Sequence, residues 1–206
     1  VQEALALQRK QGGLIGQHLV ALGHCSAGDV AQALNDQGAL LQQLGEFAKA
    51  EAVHAQALAI REKALPRSEG QVAQSLNNLA QMKKKLGKTD EVEPLLRQAA
   101  AAQEKALGPN SADLGDTLAD IADLLADEGR EDEAVPLAER ALSITEKALG
   151  PDDPEVARRF IKLANVLSAQ RKFADAEASF RKALTIREKA FGADSLFPTV
   201  EDGVTA

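Results

Sequence analysis

A 42-residue repeat is the feature that most constrains the fold of this chain. Similar segments begin at Ala57, Ala99, Ala141 and Ala183, each 42 residues after the last, and the third reads ALSITEKALGPDDPEVA. Units of this length cannot bury their apolar faces alone, so neighbouring units stack and share a continuous core. The period therefore predicts a repeat array and not one compact domain.

Within each repeat the apolar spacing predicts two helices joined by a short turn. First helices are expected over 29–44, 71–86, 112–128 and 154–170, and second helices over 48–65, 90–107, 131–149 and 174–191. Gly45, Gly87 and Gly129 occupy the turn, where glycine readily adopts the left-handed conformation that ends a helix. Arg171 takes this place in the fourth repeat, so we expect its turn to be the most strained. Lys83 interrupts an otherwise apolar stripe.

The same spacing predicts the domain organisation. Residues 1–28 are expected to hold the tail of a preceding repeat and an inserted short helix or linker. Four repeats then cover 29–70, 71–111, 112–153 and 154–192. Residues 193–206 lose the pattern and are expected to form a C-terminal cap or a flexible tail.

The repeat has a recognisable small-residue pattern. Small residues lie at Gly38, Ala80, Ala122 and Ala164, and the turn follows seven residues later. Alanine lies twelve residues beyond the turn in every repeat, and five residues beyond it in all but the second, which has Val92. This pattern resembles the tetratricopeptide repeat, whose usual period is 34. The longer period, the segment LNNLA at 76–80 and the ending of the third repeat are similar to the kinesin light chain type. HEAT and armadillo repeats have similar lengths, but the small residues and the glycine turn favour the tetratricopeptide repeat.

This resemblance, which covers about 29–192, implies an all-α fold, a right-handed superhelical solenoid of helix pairs. It also implies that a protein or peptide partner binds the concave groove lined by the first helices. The groove positions carry these polar side chains: Gln32, Asn35, Asp36, Gln74, Asn77, Asn78, Gln81, Lys84, Asp116, Asp120, Asp123, Arg158, Lys162 and Asn165. Their amides can hydrogen-bond the backbone of an extended ligand whatever its sequence. A solvated polar helix face is the alternative.

Five aspartates form a carboxylate stripe along the third first helix, with spacings of 3, 4, 3 and 4: Asp113, Asp116, Asp120, Asp123 and Asp127. Arg158 and Lys162 come one period after Asp116 and Asp120. We therefore interpret the stripe first as one side of ion pairs between repeats. A basic ligand and a metal site are the alternatives, the metal site being disfavoured because carboxylates in a straight row do not surround a cation.

Composition excludes several classes of function. A formal charge of −7 and an isoelectric point near 5.1 argue against nucleic acid or an anionic membrane as the main partner, and no segment is long and apolar enough to be inserted in a membrane. The single cysteine and three histidines form no ligand set or catalytic motif, and we expect His54 to be a packing residue. We predict no enzyme activity, cofactor or metal, and a cytoplasmic or other reducing compartment, with an organelle left open.

Three functions remain in competition. The first is a protein–protein interaction scaffold, the second a structural subunit or assembly factor within a large complex, and the third a regulatory sensor module of a larger protein. Exposed apolar patches on the second helices would favour the complex subunit. A polar groove and an otherwise unoccupied outer surface would favour peptide binding.

Overall fold

A computed structural model describes residues 23, 25–64 and 68–192, and in them the predicted helix pairs are confirmed. The α-helices are α1 (Ala27–Gln43), α2 (Phe47–Lys63), α3 (Glu69–Lys85), α4 (Val92–Leu107), α5 (Ala112–Asp127), α6 (Glu131–Leu149), α7 (Pro154–Ala169) and α8 (Phe173–Phe191). A 3₁₀ turn, Thr89–Glu91, precedes α4. These described residues contain no strand. Residues 1–22 of the predicted leading segment 1–28 and the predicted C-terminal cap 193–206 lie outside them, and the repeat boundaries stay a prediction.

A polar side chain caps the start of each first helix. Ser26, Ser68 and Ser111 accept a hydrogen bond from the backbone N–H three residues later, and Asp153 accepts one from Glu155 at 2.7 Å. These bonds satisfy backbone donors that have no partner inside the helix. The second helices α2, α6 and α8 have no such side-chain cap. Because each of these three follows a short closed turn, its start is fixed by the preceding helix instead.

The turn inside each pair closes in one conformation. In the first pair the N–H of Glu46 donates to the carbonyl of Leu41 at 2.9 Å, which is the long bond of a Schellman motif. The fourth pair repeats it, from Lys172 to Leu167 at 2.9 Å. Arg171 occupies the left-handed position there with φ 62°, where Gly45 has φ 76°. A side chain in this region costs about 1 kcal/mol, so the turn is strained as predicted.

The chain divides into two compact units, Val1–Ala106 and Leu107–Ala206. In unit 1 the apolar core joins Val72 and Leu76 on α3 with Ala99 on α4, and Leu58 of α2 packs against it. Lys83, which interrupts the apolar stripe, is compensated by carboxylates: its Nζ lies 2.8 Å from Glu51 and 2.6 Å from a second glutamate, Glu91.

In unit 2 the core is made mostly of aliphatic side chains. Leu114, Ile121 and Leu125 of α5 are fully buried, and so are the alanines Ala134 and Ala141 of α6. Small side chains let α5 and α6 approach closely, because an added Cβ at Gly115 would lie 3.0 Å from Ile144 Cγ2. Unit 2 therefore holds its helices together by close apolar packing.

Candidate functional site

The candidate groove residues of unit 1 form a polar surface that we call the amide face. It consists of Gln32 and Asp36 on α1, and of Gln74, Asn78, Gln81 and Lys84 on α3. All are exposed except Asn78, which is half-buried. They lie on one side of their helices because they are spaced by three or four residues. Each helix thus presents its candidate residues on one side, and their role in binding a ligand stays a prediction.

A buried arginine from α2 holds two of these amides from below. Arg61 donates from Nη2 to Gln32 Oε1 at 2.9 Å and from Nη1 to Gln74 Oε1 at 3.2 Å. Gln32 in turn donates from Nε2 to Asp36 Oδ1 at 2.9 Å. Both glutamines are thus fixed at their oxygen ends although their side chains lie at the surface. Sequence reasoning missed Arg61, which lies on a second helix and not among the groove positions.

Arg61 itself is only 2% exposed. Its Nη1 also donates to the backbone carbonyl of Gln71 at 2.8 Å and to Ser75 Oγ at 2.8 Å, so the guanidinium bridges α1, α2 and α3. Burial lowers the pKa of Arg61 from its ordinary value, and the charge of Asp36 partly offsets this effect. Arginine stays charged even so. The result is a buried positive charge directly beneath the amide face.

Asn35, which we predicted to be a groove amide, is inside the unit. It is 4% exposed, and we assign its carboxamide oxygen to the side of Arg61 and its nitrogen to the side of His54 Nδ1, 3.0 Å away, because only the oxygen can accept from the guanidinium. The surface prediction for Asn35 is therefore wrong. One residue corresponds to about 100° around a helix, so Asn35 points inward where its neighbour Asp36 points outward. Asn77, one period later, is half-buried.

His54 is a packing residue, as predicted, and it completes this interior cluster. It is fully buried on α2, and its ring lies where a side chain at Gly38 would otherwise be. Burial, followed by the charge of Arg61, lowers the pKa of His54 below its ordinary 6.5. The imidazole is therefore neutral, and its Nδ1 can accept the hydrogen bond from Asn35. We call Asn35, His54 and Arg61 the polar cluster.

The candidate residues of unit 2 form a second surface, which we call the charged face. It consists of Asp116, Asp120 and Asp123 on α5, and of Arg158, Lys162 and Asn165 on α7. Asp123 and Lys162 are half-buried, whereas the others are exposed. The face carries ionised groups where unit 1 carries amides.

Two aspartates of the predicted stripe are paired with cations of the next first helix, but the partners differ from those expected. Asp116 pairs with Arg159, whereas Arg158 was expected, and Lys162 pairs with Asp123, whereas Asp120 was expected. Arg159 is only 4% exposed and also lies 3.1 Å from Glu155. Its position faces α5, whereas Arg158 lies farther around α7. Sequence reasoning missed Arg159 because a buried arginine next to an exposed one carries no distinctive signal.

Arg158 is engaged within its own helix. Its Nη2 donates to Glu155 Oε1 at 2.6 Å and its Nε to the same carboxylate at 2.8 Å. This hydrogen bonding raises the pKa of Arg158, and the charges of Asp116 and Asp120 raise it further. The charged face is therefore a network of carboxylates and cations from α5 and α7.

Residues 23, 25–64 and 68–192 contain no group of three or more acidic, histidine or cysteine side chains arranged to hold a metal ion. None of the helices there combines the length and apolar character needed to cross a bilayer. Instead, Asp116 and Asp123 of the stripe pair with cations of α7, which agrees with the ion-pair interpretation.

The repeat sequence itself decides the family. The profile of the tetratricopeptide repeat matches residues 29–105, 71–144 and 113–189, overlapping windows that together cover most of the chain. The chain belongs to the tetratricopeptide repeat family. The predicted all-α fold of tetratricopeptide helix pairs is therefore confirmed.

Solved tetratricopeptide structures resemble the chain over most of its length. BtubC (BKLC) from P. vanneervenii aligns with a TM-score of 0.76 and 23% identity over 98% of this chain and 83% of that one. A Podosopora anserina protein described as a kinesin light chain with nearly identical TPR-like repeats aligns with a TM-score of 0.68 and 23% identity, over 92% and 94%. Aspartyl phosphate phosphatase F from Bacillus subtilis aligns at 0.70 and 15% identity, over 87% of this chain and 45% of that one.

These likenesses support the predicted kinesin light chain type of repeat. At such identities they establish the fold and nothing further. The comparison with curated protein sequences gave no match. Tetratricopeptide repeats generally mediate protein–protein interaction and are typically non-catalytic scaffolds.

Proposed function

We propose that this tetratricopeptide protein is an interaction scaffold whose amide face binds an extended segment of a partner protein. One observation carries the proposal: the buried Arg61 fixes Gln32 and Gln74 at their oxygen ends. A scaffold that binds backbone must hold its donors in place before the ligand arrives. Arg61 provides that preorganisation from the interior of unit 1.

Preorganisation matters because an extended ligand loses conformational entropy when it binds. A glutamine that is already fixed loses less entropy than a freely rotating one, which otherwise costs about 0.5–1.5 kcal/mol. Gln32 and Gln74 occupy the same position in successive repeats. Gln74 Nε2, and the N–H of Gln32 Nε2 that does not donate to Asp36, can therefore donate to carbonyl groups of one ligand strand, independently of its side chains.

The charged face favours basic side chains of a partner, whereas the amide face favours its backbone. Its stripe contains five aspartates on α5, of which Asp116 and Asp123 are paired with cations of α7. Asp113 and Asp127 are exposed at the two ends of the stripe. We propose that lysine or arginine side chains of a partner bind along it, which gives selectivity and a faster association at low salt.

A peptide-binding experiment tests the amide face. The chain contains neither Trp nor Tyr, so a library of short peptides that each carry one Trp reports binding through the peptide's own fluorescence. A selected peptide should bind with a Kd of about 1 μM. Replacing Gln74 and Asn78 together by alanine should weaken binding by about 1–3 kcal/mol, because two backbone hydrogen bonds are lost.

Gln98→Ala is the matched control, since Gln98 is an exposed amide on the second helix α4. It should leave the Kd of the same peptide unchanged, and circular dichroism should show that all variants keep their helices. If the double variant binds at full strength while Gln98→Ala weakens binding, the outer surface is the peptide site and the amide face is not.

A second function, a structural subunit or assembly factor, is favoured by a different observation. The second helix α8 exposes four large apolar side chains: Phe173, Phe180, Leu184 and Phe191. Exposed apolar surface of this kind marks a site of association. The two functions are compatible, because the amide face lies in unit 1 and this surface lies in unit 2.

The remaining parts of the proposal follow the same reasoning. We propose that the chain is a non-catalytic scaffold, and that it works in the cytoplasm or another reducing compartment, where the half-buried free thiol of Cys25 would stay reduced. A third possibility, a sensor module of a larger protein, has no structural observation of its own.

A further inference from the structure

The apolar side chains of α8 lie on one face of the helix. Phe173, Phe180 and Leu184 are separated by 7 and 4 residues, the spacing of a single helical stripe. Their exposed fractions are 66%, 41% and 45%. Side chains of this size on one continuous stripe are unusual on a solvated surface. We call this stripe the α8 end face.

The equivalent helix one repeat earlier, α6, shows which neighbour packs against such a face. In α6, one period earlier, Ala138, Leu142 and Thr145 are buried, whereas their counterparts Phe180, Leu184 and Arg187 are exposed. The other buried positions of α6, Ala134, Ala141 and Ile144, have buried counterparts in α8: Ala176, Ala183 and Ile186. Helix α6 packs against both α5 and α7, whereas α8 packs against α7. The exposed set is thus the side that meets a following first helix.

Helix α1 presents the complementary side. Its Ala33, Gln37 and Leu40 are exposed, whereas their counterparts in α7, Arg159, Leu163 and Val166, are buried. Leu40 and Leu44 of α1 are 56% and 65% exposed. Among the described residues, helix α7 packs against α6 and α8, whereas α1 packs against α2. This set, the α1 end face, is therefore the side that meets a preceding second helix.

We infer that the α8 end face of one copy docks on the α1 end face of a second copy, reproducing between chains the contact that α6 and α7 make within one. The charges also fit. Helix α1 contains Asp29 and Asp36 and no Lys or Arg, whereas α8 contains four cations, Arg181, Lys182, Arg187 and Lys189, and three carboxylates, Asp175, Glu177 and Glu188, so that its charge is slightly positive. A contact between two α8 end faces would instead bring together two helices of the same net sign. Complementary charge thus favours the head-to-tail arrangement.

Head-to-tail contacts have a definite consequence for assembly. The two end faces belong to different parts of the chain, so each copy that docks leaves one of each kind free. Such a heterologous contact extends into linear chains unless the rotation between copies closes a ring. The average mass should therefore rise steadily with concentration and show no plateau at a dimer.

Sedimentation velocity of the full chain over a range of concentrations tests this inference. Leu184→Glu blocks the α8 end face and Leu40→Glu blocks the α1 end face. Each should weaken self-association by about thirty-fold or more, the effect of losing a central interface residue. Both positions are exposed, so the helices should be retained. Leu149→Glu is the matched control, because Leu149 is 51% exposed on α6 and belongs to neither face.

Mixing the two single variants gives the sharpest result. The Leu40→Glu chain keeps a working α8 end face and the Leu184→Glu chain keeps a working α1 end face, so an equal mixture should form a one-to-one dimer that grows no further. A symmetric α8–α8 contact predicts instead that Leu40→Glu alone still dimerises, and this result would overturn the inference.

A wild-type chain that stays monomeric at every concentration also overturns the inference. The Leu196→Glu/Phe197→Glu variant then identifies the occupant. If it turns on association, residues 193–206 of the same chain cover the α8 end face; if it does not, the face belongs to another protein. Peptide binding to the amide face is measured separately, so failure of one proposal is distinguishable from failure of the other.

Discussion

The helix pair α1–α2 of unit 1 and the pair α5–α6 of unit 2 have the same fold but different interiors. At three equivalent positions unit 1 has Asn35, His54 and Arg61, and unit 2 has Ala119, Ala138 and Thr145. All six side chains are buried. The polar cluster forms hydrogen bonds across three helices, whereas Thr145 bonds to the carbonyl of Ala141 in its own helix at 2.9 Å. The repeat backbone therefore accepts two different ways of filling its centre.

The position of Gly38 shows how the repeat backbone accommodates the two interiors. Gly38 in unit 1 corresponds to Ala122 in unit 2. A Cβ added at Gly38 would lie 2.5 Å from two ring atoms of His54, so the histidine occupies the space that the alanine methyl fills elsewhere. The larger interior residue and the smaller helix residue are thus a matched pair.

Among substitutions that compare the two interiors, Arg61→Ala should have the largest effect on the free energy of unfolding. Arg61→Ala leaves Ser75, Asn35 and the carbonyl of Gln71 without a buried donor and opens a cavity, so it should lower the free energy of unfolding by about 3 kcal/mol. Thr145→Ala, at the equivalent position, loses one local hydrogen bond and should cost about 1 kcal/mol. Thermal unfolding followed by circular dichroism gives both values.

Hydrogen exchange locates the effect. Arg61→Ala should speed exchange of amides in α1, α2 and α3 and leave those of α5 and α6 unchanged. Equal losses for Arg61→Ala and Thr145→Ala would show that the polar cluster contributes no more than one helix-local bond.

The next effect concerns Gly38 and His54. Gly38→Ala forces the His54 ring to move and should destabilise the chain by about 2 kcal/mol through overpacking. In a His54→Ala background the same substitution should stabilise it by up to about 1 kcal/mol, because alanine is the better helix former. A double-mutant cycle measures this reversal of sign. Additive effects would mean that Gly38 is small for some reason other than the ring.

The smallest expected effect is a pH dependence of the stability of unit 1. The pKa of His54 is lowered in the folded chain, so the unfolded chain binds the proton more readily. The stability due to neutral His54 is complete above its ordinary pKa of 6.5 and falls as the pH drops through that value toward the folded pKa. His54→Ala should remove this part of the pH dependence of the unfolding midpoint. A dependence that survives in the variant would have to come from other groups.

Much of the fold was predictable because it follows from local rules. The period, the apolar spacing and the turn glycines located the eight helices within a few residues, and the strained turn at Arg171 followed from the missing glycine. Each of these features depends on residues close in sequence. The family followed from the same signals.

The candidate site was predictable only in part, because it depends on which side of a helix each residue occupies. Asn35 and Asp36 are neighbours of similar polarity, yet the first is buried and the second exposed. In the same way Arg159, and not Arg158, reaches Asp116. A difference of one position turns a side chain by about 100°, which is finer than a spacing argument with loosely known helix ends can resolve.

The sequence by itself determined that this chain is an array of tetratricopeptide helix pairs, because the repeated spacing of apolar residues, small residues and turns leaves each unit no other way to bury its surface. Only the tertiary structure decided that Arg61 is the residue beneath the amide face. Its role depends on Gln32, Gln71, Gln74 and Ser75, which two other helices bring to one guanidinium. Hydrogen bonds between distant segments require distances and angles that no sequence period encodes.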